Sequence, residues 1–466
     1  MIFTVNNQVL NKTDKNIDQT DYYLKHLITF SKSKAVKNHN DILSARGTVL
    51  VPCNTTLTPK ILDRLVCLKL SMPIEFSIEI IQTINSQSLL ALYDKLIINN
   101  SEFKYLNNDL EVNQLLSDAC VYMEQFPILY QKLSVLQLSF PDKFMQSLLT
   151  GYFCLGLSKK LGEKKILNIY AFVAGLIHDF SMMSLEPSLL IDDIDYSPQQ
   201  FRAMQQHCIK GFRHLAMIEG FPKEISEAVL DHHENADGSG YPNGKTAINL
   251  SITSQIISIV DACIGIYQRE SNIEQLGVDS LLPVLEMNTD MYIPCVHTAA
   301  VDTLSAIPCQ LRRVYENKDM PAVISGLMLD NEGIQHDYCV LYALVTSIKP
   351  NPKDLGSTDQ VVTNNLLKMS LRINKSLITS GLLQNEHSEW MVISCGAQQE
   401  YDYIAIEYLE VIYGEIRFQI KELVQLVSLL LMDHTVKEQS KIKFLEDGLL
   451  QIAKYHQYNE HICVEH

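Results

Sequence analysis

Between Leu89 and Cys263, apolar residues recur three and four positions apart, interrupted by short stretches rich in Pro, Gly, Asn and Asp. That period belongs to helices, so this span predicts an all-helical domain with loops at the breaks. Ionisable residues fall where its apolar stripes should be. In the helix ending AFVAGLIHD, Asp179 follows Phe172 and Leu176 by seven and three positions, next to His178. Ala171, Ala174 and Gly175 on this helix allow a neighbour to approach closely. A second helix starts at Ser197-Pro198, with Ser197 and Gln200 forming a capping box, and carries His207 three positions after Met204. A third, from Glu224 to His233, has Ile225 and Val229 as its inner face and places His232 and His233 three and four residues later. A fourth sets Asp261 among Ile257, Val260 and Ile264.

One inward histidine is ordinarily a hydrogen-bonded core residue. Six such groups on successive helices are different, because buried carboxylates without partners are costly and metal coordination removes that cost. Four imidazoles and two carboxylates suit a borderline or hard metal such as iron, manganese or zinc. The 11 cysteines include no C-x-x-C pair, so they read as incidental thiols and no thiolate has ligand spacing. A formal charge of −16 argues against nonspecific binding to nucleic acid or anionic membrane, and an anionic substrate would need bound cations.

The segment His232-His233-Glu234-Asn235-Ala236-Asp237-Gly238-Ser239-Gly240-Tyr241-Pro242 resembles the HD-GYP signature H-H-E-x-x-D-G-x-G-Y-P at every specified position. His178-Asp179, His207 and Asp261 match the family's remaining ligand positions in order, and the resemblance spans roughly residues 135–310. It implies a helical bundle with two or three metal ions, iron or manganese foremost, held by His178, Asp179, His207, His232, His233 and Asp261. Asp179 would bridge two ions and serve as the catalytic carboxylate. Metal-dependent hydrolysis of a cyclic dinucleotide is the implied activity: cyclic di-GMP, or cyclic GMP-AMP, to the linear dinucleotide or mononucleotide. Asp237, Gly238, Gly240, Tyr241 and Pro242 would form a loop for substrate or a signalling protein partner. A nucleotide fingerprint is rejected for Gly238 to Gly244, since its spacing is wrong and no strand precedes it.

The sequence departs from the family pattern at three places. Gln146 stands where the family has a histidine, with Asp142 one turn earlier as a substitute carboxylate; Met182 replaces a phosphate-facing lysine; Cys208 replaces a proline. These departures favour a second reading, a degenerate module that binds metal, ligand or a signalling partner with weak or no turnover. A third is an HD-type phosphohydrolase acting on other nucleotides.

At 466 residues the chain exceeds what one core ordinarily covers. Residues 1–110 read as a mixed α/β regulatory region, with a strand-like run Gly47 to Pro52 and a helix opened by Thr58-Pro59. The helical HD-GYP-like domain takes 111–310. Residues 311–466 read as an α+β region with a closing helix, from the alternation Leu367, Met369, Leu371, Ile373 and the runs Trp390 to Cys395 and Tyr403 to Ile412. The fold class expected is therefore mainly α, around a central HD-type bundle. No stretch approaches the apolar length of a membrane span and the N-terminus lacks an export signal, so a cytoplasmic location is expected.

Overall fold

The computed structural model of the chain describes residues 22–81, 83–190, 196–269, 276–307, 313–348, 357–382, 389–393, 400–432 and 439–464. Helix dominates throughout, as expected. The first region is mixed. After α1 (Tyr22–Phe30), strand β1 (Val36–Asn38) pairs antiparallel with β4 (Ile78–Ile80), and β2 (Ile42–Leu43) pairs antiparallel with β3 (Val49–Val51), the strand read from the sequence. Thr58 caps α2 (Pro59–Val66), its hydroxyl accepting from the Ile61 N–H, with Pro59 at the first helical position where no N–H is needed.

The central helices are α3 (Ser86–Asn99), α4 (Ser101–Leu110), α5 (Asn113–Tyr122), α6 (Pro127–Ser139), α7 (Pro141–Lys160), α8 (Lys165–Ile177), α9 (Pro198–Gln205), α10 (His207–Leu215), α11 (Lys223–Asp231), α12 (Ile252–Arg269), α13 (Leu282–Met287) and α14 (Pro294–Ser305). They share one apolar core with the first region: Leu27, Leu62 and Ile78 belong to the same buried cluster as Leu133, Phe172 and Ile257. Helices α7 and α8 pack closely because Gly175 has no side chain. A Cβ there would lie 2.8 Å from Cys154 Sγ and 3.0 Å from Thr150 O.

Against expectation, one stretch, Lys165–Ser184, is long and apolar enough to cross a membrane by length and composition. Its most apolar window is 72% buried, and α8 packs among α7, α11 and α12. Core packing on all sides accounts for its composition.

At the junction between the first region and the bundle, Lys132 and Glu75 form a buried ion pair at 2.8 Å. His214 packs beside them, with its ring 4.7 Å from Phe76. Burial, aided by Lys132, pushes the His214 imidazole down to about 3 from 6.5; Glu75 opposes this but is already engaged by Lys132. As pH falls through 6.5 the unfolded chain takes this proton and the folded chain does not. Stability present above pH 6.5 is therefore lost toward pH 3, at about 1.4 kcal/mol per unit at most. Denaturant unfolding at pH 7 and pH 5 should show wild type losing about 2 kcal/mol more than His214→Gln. Equal losses would mean that His214 titrates normally.

The third region departs from the α+β expectation: its described residues are helical, in α15 (Met320–Ser347), α16 (Ser357–Thr379), α17 (Glu400–Met432), the closing helix α18 (Gln439–Val464) and a helical segment at 389–393. The apparent alternation from Leu367 to Ile373 mixes two helix faces. Leu366, Met369, Ile373 and Leu377 are buried at spacings of three and four, while Leu371 is 62% exposed. Likewise Tyr403, Ile406, Tyr413, Ile416 and Ile420 line one face of α17. Trp390 lies in the short helical segment; Ser394 and Cys395, also expected in a strand, fall outside the described residues, as do 308–312 around the expected boundary. These helices enclose a second core, which includes Ile324, Leu341, Leu366, Leu423 and Leu445.

Candidate metal centre

His178 stands at the C-terminal cap of α8, with Asp179 immediately after it. The helix expected to carry His207 divides at Gln206, so His207 opens α10 instead, after α9 with its Ser197–Gln200 capping box. His232 caps α11 at its C-terminal end, His233 follows, and Asp261 projects from α12. His178, His207 and His232 are fully buried.

These three histidines repeat one local arrangement. His178 Nδ1 donates to Gly175 O at 2.7 Å, His207 Nδ1 to Met204 O at 2.6 Å and His232 Nδ1 to Val229 O at 2.7 Å. A carbonyl can only accept, so each ring carries its proton on Nδ1 and turns the Nε2 lone pair inward. There His207 Nε2 and His232 Nε2 face each other at 3.1 Å. Asp179 Oδ1 lies 3.4 Å from His207 Nε2 and 3.6 Å from His232 Nε2, while its Oδ2 lies 3.4 Å from His178 Nε2. Asp261 Oδ1 approaches His178 Nε2 at 3.2 Å. Lone pairs converging at such distances repel unless a proton or cation lies among them. Correspondingly, His178 Nε2 and Asp179 Oδ1 are buried without a hydrogen-bond partner.

The electrostatics lead to the same requirement. Burial draws His178 down, but Asp179 and Asp261 outweigh it and hold the imidazole well above 6.5. Burial opposes ionisation of Asp261, yet His178 holds it down at about 2 and keeps Asp179 well below the usual carboxylate range. Burial pushes His207 down to about 4 and holds His233 well below the ordinary imidazole value. Asp179 and Asp261 thus draw a positive charge, a proton or a cation, to the inward Nε2 of His178, and one proton there offsets only part of the two carboxylates' charge. Such a donor set fits divalent metal, and the backbone carbonyls that accept from each Nδ1 orient the rings as metal-bound histidines require. Two groups of ligand atoms each lie close enough to share an ion: His207, Cys208, His232 and His233; and His178, Asp179 and His232.

The structure therefore brings His178, Asp179, His207, His232, His233 and Asp261 together. Gln146 is also at the site, but as a donor: its Nε2 gives a hydrogen bond to Asp261 Oδ1 at 3.1 Å. Asp142 is exposed in the first turn of α7, so it does not substitute for Gln146. Met182 is half-buried in the turn after Asp179. Cys208, read from the sequence only as a replaced proline, also reaches the site: its thiol lies 3.3 Å from His207 Nε2, and burial raises its pKa well above the ordinary thiol value. Its adjacency to His207 was the one available signal.

Past His233 the chain forms a tight loop. Glu234 is fully buried; its carboxylate oxygens accept from Asn243 N at 2.6 Å and Lys245 N at 2.8 Å, closing the loop's ends. Asp237 Oδ1 accepts from Ser239 N at 2.8 Å, an Asx-type turn. The Tyr241 ring stacks on His233, centroids 4.8 Å apart. Tyr241 is thus half-buried, with its ring packed against the histidine cluster.

A family model described as HD domain matches residues 135–264, the stretch from α6 to α12 that carries all six groups. This is an HD domain of the HD-GYP type. Among curated relatives, a Thermotoga maritima protein named cyclic di-GMP phosphodiesterase is 27% identical over 107 residues, 23% of this chain and 29% of its own length. A Vibrio cholerae 3'3'-cGAMP-specific phosphodiesterase is 28% identical over 118 residues, 25% and 27% of the two chains. A cyclic di-GMP phosphodiesterase of Pseudomonas aeruginosa is 26% identical over 131 residues, 28% and 32%. The chain thus spans less than a third of the length of each of these relatives.

Proposed function

We propose that the HD-GYP domain hydrolyses a cyclic dinucleotide at a centre of two divalent metal ions, iron or manganese. The observation that carries this reading is the convergence of three Nε2 lone pairs on Asp179, each ring held by its own backbone carbonyl. Asp179 offers one oxygen to His207 and His232 and the other to His178, the arrangement of a bridging ligand. His178 and Asp261 would hold one ion, and His207, His232 and His233 the other. Bound divalent metal supplies an acidic water for attack on phosphorus and offsets the phosphate charge. That offset matters in a chain of net charge −16. The residues' own part is to stay rigid and dry: burial and the carbonyl contacts hold each imidazole in place before substrate arrives.

Two observations favour the second reading, a module with slow or no turnover. Gln146 directs an amide N–H at Asp261 where a lone pair would be needed, and Met182 adds no charge beside the site. Slow hydrolysis of cyclic di-GMP is therefore expected of wild type, and faster hydrolysis of the double variant Gln146→His, Met182→Lys. Losing one such electrostatic contact ordinarily lowers rate by about 10²–10³, which bounds the gain per site. Turnover of cyclic di-GMP and cyclic GMP-AMP should be measured at saturating iron or manganese. Fast wild-type turnover unaltered by the double change would show that both departures are tolerated; no turnover in either, with metal bound, would establish the binding module.

A further inference from the structure

The face of the 237–242 loop that points away from the histidines is covered by the chain's own C-terminal helices. Along α16, Asn365 Nδ2 donates to Gly240 O at 2.5 Å and Lys368 Nζ to Gly238 O at 3.4 Å. One turn further on, Arg372 donates to Asp237 Oδ2 at 3.3 Å and to Ser239 Oγ. The Arg372 side chain is 4% exposed. The loop's other face rests on the ligand helix: Tyr241 N donates to His233 O at 3.1 Å, and the Tyr241 ring stacks on His233, itself 4.1 Å from the His232 ring. On the histidine side the fit leaves no slack: a Cβ at Gly240 would meet the backbone at His233 O at 2.3 Å and Asn235 N at 2.5 Å.

Simple domain packing is a poor account of this contact. A buried arginine is a costly way to join two surfaces, since an apolar residue of similar size packs as well without the desolvation penalty. Arg372 moreover leaves its Nε without a hydrogen-bond partner. What the guanidinium supplies is direction: it fixes the Asp237 and Ser239 side chains, which themselves shape the turn leading into Tyr241.

We propose that Arg372 and Asn365 are positioning residues for the metal centre, and that the C-terminal bundle acts as a clamp which sets the geometry of His233 through the loop and Tyr241. The inference rests on the reading of the histidine cluster as a metal centre. It also assigns the loop's outer face, expected from the sequence to receive an outside partner, to α16 of the same chain.

The test uses the full chain and manganese(II) alone as probe, with calorimetric titration for affinity and hydrogen exchange of the amides at 236–241. Arg372→Met keeps the length of the side chain and removes its donors; Asn365→Leu removes a different bond and leaves Arg372 in place. Both should speed loop exchange, and Arg372→Met should weaken manganese affinity about tenfold, the lower end of what loss of an orienting contact does at metal sites. Arg372→Lys should restore part of the affinity, which a loss of mere packing would not predict. Unchanged loop protection and affinity in folded Arg372→Met would overturn the clamp. Should that variant not fold, Asn365→Leu decides by the same two readouts. A wild type that binds manganese but hydrolyses no cyclic dinucleotide would defeat the proposed activity while leaving the clamp to stand or fall on affinity and exchange.

Discussion

Asp179→Ala is expected to lose stoichiometric metal and to lower cyclic-dinucleotide hydrolysis by more than about 100-fold. Loss of a group that only orients a metal ligand already costs about 10–100-fold, and Asp179 lies among the ligand nitrogens themselves. Both its oxygens are committed, Oδ1 toward His207 and His232 and Oδ2 toward His178, so no neighbour can replace it. Stability should follow the metal. An ion at a hundredfold excess over its dissociation constant stabilises the folded state by about 2.7 kcal/mol, and only while it is bound. Thermal unfolding should therefore separate wild type from variant in chelator-free buffer and bring them closer together in chelator. Elemental analysis of anaerobically purified protein provides the check: full metal content in Asp179→Ala, or none in wild type, would remove the metal centre.

Gly240→Ala should come second in effect. Its Cβ would lie 2.3 Å from His233 O, 2.5 Å from Asn235 N and 2.5 Å from Glu234 Cα, all backbone atoms that cannot swing aside. Overpacking of this kind costs about 1–3 kcal/mol, and here the strain falls on the peptide carrying His233. The variant should unfold at lower denaturant and bind manganese more weakly than wild type, whereas Gly265→Ala, on α12 with open space at its Cβ position, should do neither. If Gly240→Ala lowers stability but leaves manganese affinity intact, the loop does not hold His233 in place.

The centre was legible in the sequence because its signals are local. A helix turns every 3.6 residues, so a His or Asp at three, four or seven positions from buried apolar residues is placed inward by the chain's own geometry. His178, Asp179, His232 and Asp261 met that condition, and the loop after His233 carried a dense run of specified residues; His207 was counted from Met204, which is only half-buried and lies beyond the helix break at Gln206. The short N-terminal strand and the Thr58 and Ser197 caps were legible for the same reason, as each needs only its nearest neighbours.

What the sequence did not reveal depends on neighbours distant in the chain. The alternation at Leu367, Met369, Leu371 and Ile373 suits a strand as well as a helix until the second core selects Met369 and Ile373 and leaves Leu371 to solvent. Gln146 was read as a lost ligand, yet its hydrogen bond to Asp261 spans 115 positions. Nor did it reveal that the loop carrying Tyr241 is covered by α16, whose Asn365, Lys368 and Arg372 reach it from more than a hundred positions downstream. By itself the sequence determined that helices would carry inward-facing metal donors, since period and residue type suffice for that. Only the tertiary structure decided which lone pairs meet, which thiol joins them and what closes over the loop, because those contacts exist only once distant segments share one space.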